Sequence, residues 1–207
     1  MIVQWCLKGM HLDNDIEARD IIDDRVGLQC NWWRDVHTIT PPGIRDKLTD
    51  ANLDRHINHF HAMDPASGRS FSALTPFISL SAGTVERDKV MRMNVTYTAR
   101  EIALGFGSGF GAHSTAFLYR CWVVLAPRPT VGVQSVAEEV RDLTTYRSYS
   151  AFQLEGEIVA KVHVPSNQIE CCERWDMDPM TGWALTWGYP NTDFTQPTEL
   201  SNVREVI

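Results

Sequence analysis

Apolar and polar positions alternate along this chain in short blocks, and the period changes from block to block. Residues 1–30 mix a short apolar opening with an acidic, helix-like stretch around Asp13–Asp24. Cys30–Val36 is dense in aromatics and predicts a buried strand. Pro41-Pro42-Gly43 breaks the chain. Residues 44–61 carry Leu48, Leu53, Ile57 and Phe60 at helical spacing. Pro76 opens a short strand over Phe77–Ser81, and Thr84–Met93 again reads as helix. Gly105–Gly111 reads as a glycine-rich loop. Thr115–Ala126, β-branched and aromatic, is the strongest strand signal. Ser135–Asp142 predicts a short helix, and Leu154–Val164 a strand ending at Pro165. After Trp175 the chain is rich in Pro, Gly, Thr and Trp and predicts irregular structure. Short strands without regular βαβ alternation predict an α+β fold in a single domain over 1–207, with 1–30 as an N-terminal extension and 176–207 as an irregular C-terminal segment.

Composition adds limits. Apolar residues make up 43% and charged residues 22%, ordinary globular values, and the formal charge is −7. That charge argues against a nucleic-acid coat with a wide basic face. Five cysteines cannot all pair within one chain, which favours reduced thiols. The first twenty residues lack the basic start and long apolar run of a signal peptide, and no stretch reaches membrane-span length. The expectation is a cytoplasmic chain with no membrane partner, or one delivered by other means to another cell.

Several residues invite chemistry. In Gln153-Leu154-Glu155-Gly156-Glu157 the two carboxylates share one strand face by the period of two. Paired carboxylates can divide labour, one stabilising a sugar oxocarbenium ion while the other serves the incoming nucleophile. Taken alone, such a pair is also common on a solvent-facing strand. Ser79 and Ser81 share a face by the same period, placed to hydrogen-bond a carboxylate or a ribose. Arg34, within Trp32-Trp33-Arg34-Asp35, needs a partner if buried. A diphosphate would serve, and so would a structural ion pair with Asp35. His56, His59 and His61 form a cluster without the Cys or carboxylate companions of a metal site, so no metal is expected.

The order Arg, Ser-x-Ser, Glu-x-Glu resembles the cholera-toxin-like mono-ADP-ribosyltransferases. The resemblance extends to Pro41-Pro42-Gly43-Ile44, to Pro76-Phe77-Ile78-Ser79-Leu80-Ser81, to Gly111-Ala112-His113-Ser114-Thr115 before an apolar strand, and to Val164-Pro165-Ser166-Asn167-Gln168-Ile169 with the later Trp175. It runs from about residue 32 to residue 175. It departs at Leu80, where the family has a hydroxyl. The family implies a split β-sandwich with flanking helices and NAD as co-substrate. It implies Glu157 as the catalytic carboxylate, with Ser79 orienting it and Glu155 serving the acceptor. Arg34 and Asp35, with Ser79 and Ser81, would bind NAD. Tyr149 and Phe152, in the family's target-recognition turn, would contact the acceptor. The expected reaction moves ADP-ribose to a macromolecule, a protein arginine or an RNA or DNA base, and releases nicotinamide. A toxin or effector of this kind, in a toxin–antitoxin or phage-defence setting, implies a neutralising antitoxin or immunity protein as a further partner. NAD hydrolysis with water as acceptor, and a catalytically silent module of the same fold, remain alternatives.

Overall fold

A computed structural model describes residues 1–36, 44–83, 98–140, 156–197 and 203–206. The N-terminal run forms β1 (Ile2–Met10), and Asn14 caps α1 (Asp15–Asp23) by accepting the amides of Ile16 and Glu17. There follow β2 (Leu28–Gln29), α2 (Asn31–Val36), a 3-10 turn at Ile44–Lys47, α3 (Asp50–Asn58) capped by Thr49, α4 (Phe71–Leu74) and β3 (Phe77–Ser81). Then come α5 (Ala99–Gly107), β4 (Thr115–Leu125), β5 (Glu157–Lys161), β6 (His163–Val164), β7 (Ile169–Asp178), β8 (Gly182–Pro190) and β9 (Val203–Arg204).

The α+β expectation holds. Seven strands form one sheet in the order β5-β3-β1-β4-β7-β8, antiparallel except that β9 joins β1 in parallel, and β2 pairs with β6 as a separate ribbon. β1 is the hinge of the arrangement. It pairs with β4 along its whole length, from Ile2 opposite Leu125 to Met10 opposite Phe117. To β3 it is joined only at Leu7 opposite Ser81. The sheet therefore splits there, and a cleft opens between the end of β1 and the start of β3. Because side chains alternate along β1, Cys6 faces a core shared with α1, α2 and α3, and Leu7 faces a smaller core under α5.

Several sequence expectations need correction. Residues 1–30 are no appendage, since β1 lies in the middle of the sheet. The Cys30–Val36 segment is helical, not a strand. Its aromatics signalled burial, and one helical turn buries both Trp32 and Trp33 while the amide of Arg34 bonds the carbonyl of Cys30 at 3.1 Å. The glycines after Ile102 do not prevent α5 from running to Gly107, because Gly107 packs its bare backbone against Met10 and Ala116. Ser135–Val140 is turn and extended chain in place of helix, with Glu138 bridged to Val159. The strand expected to reach Val164 breaks at Val162, whose φ of 70° redirects the chain from β5 into the ribbon. The segment after Trp175 is ordered as well: β7 continues to Asp178 and turns back as β8, with Trp187 and Tyr189 packed on the core. The predicted helix at Thr84–Met93 lies outside the described residues.

Candidate functional site

The cleft at the split holds a cavity of about 700 Å³. Its floor is made by β1, β3 and β5, which bring Lys8, Ser79, Ser81 and Glu157 together, and α3 adds His56. The register explains the convergence. Ser81 lies opposite Glu157, and Ser79, two residues earlier, lies on the diagonal of the same face. Gly156 fits the turn before Glu157 because its φ is 59° and a Cβ there would sit 2.1 Å from the carbonyl oxygen of Gly83.

Glu157 is 6% exposed. Burial pushes its carboxyl up to about 7, while a hydrogen bond from Ser79 and the charge of Lys8 pull it back down. His56 is also buried, and that burial lowers its imidazole to about 3, with the Lys8 charge acting in the same direction. A neutral His56 fixes the hydrogen-bond directions. Its Nε2 is 2.9 Å from Ser79 Oγ and its Nδ1 is 2.8 Å from Thr75 Oγ1. An ionised Glu157 accepts the Ser79 proton, so Ser79 must accept from Nε2–H, and Nδ1 accepts from Thr75. Thr75 in turn accepts the Phe77 amide at 3.2 Å. Direct contact between His56 and Glu157 is looser, at 3.9 Å.

Lys8 is half-buried, and desolvation lowers its ammonium while the charge of Glu157 supports it. Sequence reasoning passed over Lys8. The available signal was a single cation inside the apolar run Ile2–Met10. It read His56 as one of a histidine cluster, although His56 shares the buried helical face of Leu53 and Ile57. It also missed Phe106 and Phe110, which line the cavity mouth.

Arg34 sits to one side. A small cavity of about 70 Å³, lined by Lys8, Arg34, His56 and Ser79, links it to the main cleft, and another of about 210 Å³ continues past Arg34 to Glu17, Asp20 and Asp24. Asp35 pairs with Arg69 at 2.7 Å on the surface. Glu155, Tyr149 and Phe152 lie outside the described residues. Among the described residues, no group of three or more His, Cys, Asp or Glu could hold a metal ion. Among them, too, no helix is long and apolar enough to cross a membrane.

Neither a family model nor a curated protein matches this sequence. Solved structures do match in shape. EcPltA superposes with a TM-score of 0.52 at 13% identity, over 99% of this chain and 94% of its own. The fold is that of the ADP-ribosylating toxins. Weaker likenesses are to an E. coli heat-labile enterotoxin mutant (TM-score 0.44, 14% identity, 91% of this chain and 76% of that one) and to full-length CARDS toxin (TM-score 0.41, 11% identity, 99% of this chain and 31% of that one).

Proposed function

We propose that this chain is a mono-ADP-ribosyltransferase that uses NAD as co-substrate and transfers ADP-ribose to a macromolecular acceptor. The observation that supports this most is Glu157, a buried carboxylate oriented by Ser79 and balanced by Lys8 on the floor of a cleft large enough for a dinucleotide. The glycosidic bond to nicotinamide breaks with its electron pair leaving on nicotinamide, and positive charge develops on the ribose. A carboxylate fixed beside that ribose stabilises the oxocarbenium ion more strongly in a dry cleft than in water. Ser79 and His56 hold Glu157 in one orientation, which lowers the reorganisation the step requires. Lys8 and Arg34 line neighbouring spaces and are suited to the diphosphate, Arg34 through its bidentate fork. Glu155, two residues before Glu157, would serve the acceptor, with Tyr149 and Phe152 in the preceding segment.

The test is incubation of the pure protein with labelled NAD and separate pools of protein, RNA and DNA. Release of nicotinamide with label on one pool is expected, and loss of both in Glu157→Gln. No nicotinamide release from any mixture would overturn the reading. Release with all label in free ADP-ribose would make the chain a hydrolase of NAD.

A further inference from the structure

The mouth of the cleft carries two exposed phenylalanines, Phe106 and Phe110. Phe106 is 45% exposed and Phe110 75%, yet their rings meet at 4.9 Å and 65°, edge to face, and both line the cavity that holds Glu157. Phe110 is also held in the left-handed region, at φ 55°, a conformation that costs a non-glycine residue free energy. The turn that enforces it is well tied. The Phe110 amide donates to the Gly105 carbonyl at 2.7 Å, the Gly111 amide to Ser108 Oγ at 3.2 Å, and the His113 amide to the Ser108 carbonyl at 2.9 Å. His113 stacks on His11 with ring centroids 3.6 Å apart, which anchors the turn to the end of β1. Gly105 leaves room for the Phe110 ring, which would lie 3.5 Å from a Cβ at that position. A strained, anchored and solvent-facing aromatic pair beside a reactive carboxylate is a preformed platform.

We propose that Phe106 and Phe110 form the acceptor platform of this site, and that its occupant is an arginine side chain of an acceptor protein. This rests on the ADP-ribosyltransferase reading. A guanidinium is planar and cationic, and it stacks on an aromatic face through both properties. The charge of the chain, −7, attracts a cationic protein segment and repels a polyphosphate backbone. From the platform a guanidinium nitrogen reaches the ribose carbon as the bond to nicotinamide breaks. The new C–N bond forms, nicotinamide leaves with the electron pair, and the proton the nitrogen sheds passes through the site's carboxylate to solvent.

The experiment uses the intact protein, labelled NAD and an arginine-rich peptide as acceptor. Phe110→Gly suits the turn, because glycine adopts φ 55° without strain. In that variant the ratio of ADP-ribose on the peptide to free ADP-ribose should fall about fivefold or more. Phe110→Trp should restore it, and Phe106→Ala should lower it in the same direction. Calorimetric titration of the peptide without NAD should show weaker binding to Phe110→Gly by a similar factor. An unchanged ratio in the Phe106→Ala/Phe110→Gly double variant overturns the proposal. So does equal peptide binding by wild type and variant, or no binding by either. Label on a single-stranded oligonucleotide, lost in Phe110→Gly while the peptide stays unmodified, also overturns it and makes the occupant a base. If wild type releases no nicotinamide, the enzymatic reading fails, and the titration still decides whether the platform binds arginine.

Discussion

His56 Nε2 lies 2.9 Å from Ser79 Oγ, and through that hydroxyl it reaches Glu157. The donor of each bond is dictated by the acceptor-only carboxylate at the end of the chain. Ser79→Ala removes the hydrogen bond that keeps Glu157 from rising further. A hydrogen bond to a charged group is worth about 1.5–3 kcal/mol, which corresponds to roughly one to two pH units. The acid limb of kcat/KM for NAD should move upward from about 7 by that amount. A limb that stays in place would show that Ser79 does not hold Glu157.

Glu157 makes activity and stability oppose one another. Its folded value, about 7, exceeds the ordinary 4.5, so the folded chain holds more protons than the unfolded one between those values. Its contribution to stability is complete below the lower value and is lost as pH rises through the window. At pH 8 the ionised group costs roughly 3 kcal/mol. Glu157→Gln should therefore melt above wild type at pH 8 and with it near pH 4, while the rate of nicotinamide release falls about 10²–10³-fold. Melting curves at the two pH values check the first part. A variant less stable at both would show that the carboxylate is not strained by burial.

Lys8 acts on the same group from the opposite direction. Its positive charge lowers Glu157, so Lys8→Gln should shift the acid limb to higher pH and raise KM for NAD. Because Glu157 is buried and Lys8 half-buried, salt should weaken the shift only in part. A shift abolished by salt would place Lys8 away from Glu157.

Gly9 is where β1 meets α5. A Cβ there would stand 1.7 Å from the carbonyl oxygen of Ala103. Gly9→Ala must push the helix off the strand, and we expect about 3 kcal/mol of destabilisation or more in urea unfolding. Gly132→Ala, with nothing within 4 Å of the added carbon, should stay within about 0.5 kcal/mol. Equal midpoints for the two variants would contradict the close packing of α5.

The strands at Phe77–Ser81 and Thr115–Leu125 and the helix at Asp50–Asn58 were legible because their apolar periods match their structure. That Ser79 and Ser81 share a face was legible from the period of two, whereas their meeting with Glu157 was implied only by the family resemblance and comes from the register of β3 against β5. Lys8 and His56 were not legible, because their roles depend on burial beside Glu157, and that comes from segments far apart in sequence. Trp32 and Trp33 misled for a related reason: aromatic density reports burial, and burial alone does not choose between helix and strand. Val162 escaped notice because a β-branched residue at φ 70° is imposed by its surroundings, here by the amide bonds to Pro76 and from Cys30.

The central place of β1 has a consequence in time. Ile2 finds its partner in Leu125, and the carboxylate at Glu157 finds Ser81 only when a still later segment has been made. Contacts this distant in sequence close slowly, and the first strand emerges long before its neighbours do. A chain still being synthesised thus carries every residue of β1 and β3 but no working cleft. Competence should appear late and abruptly, and a ribosome-stalled series ending before residue 157 should release no nicotinamide at any length.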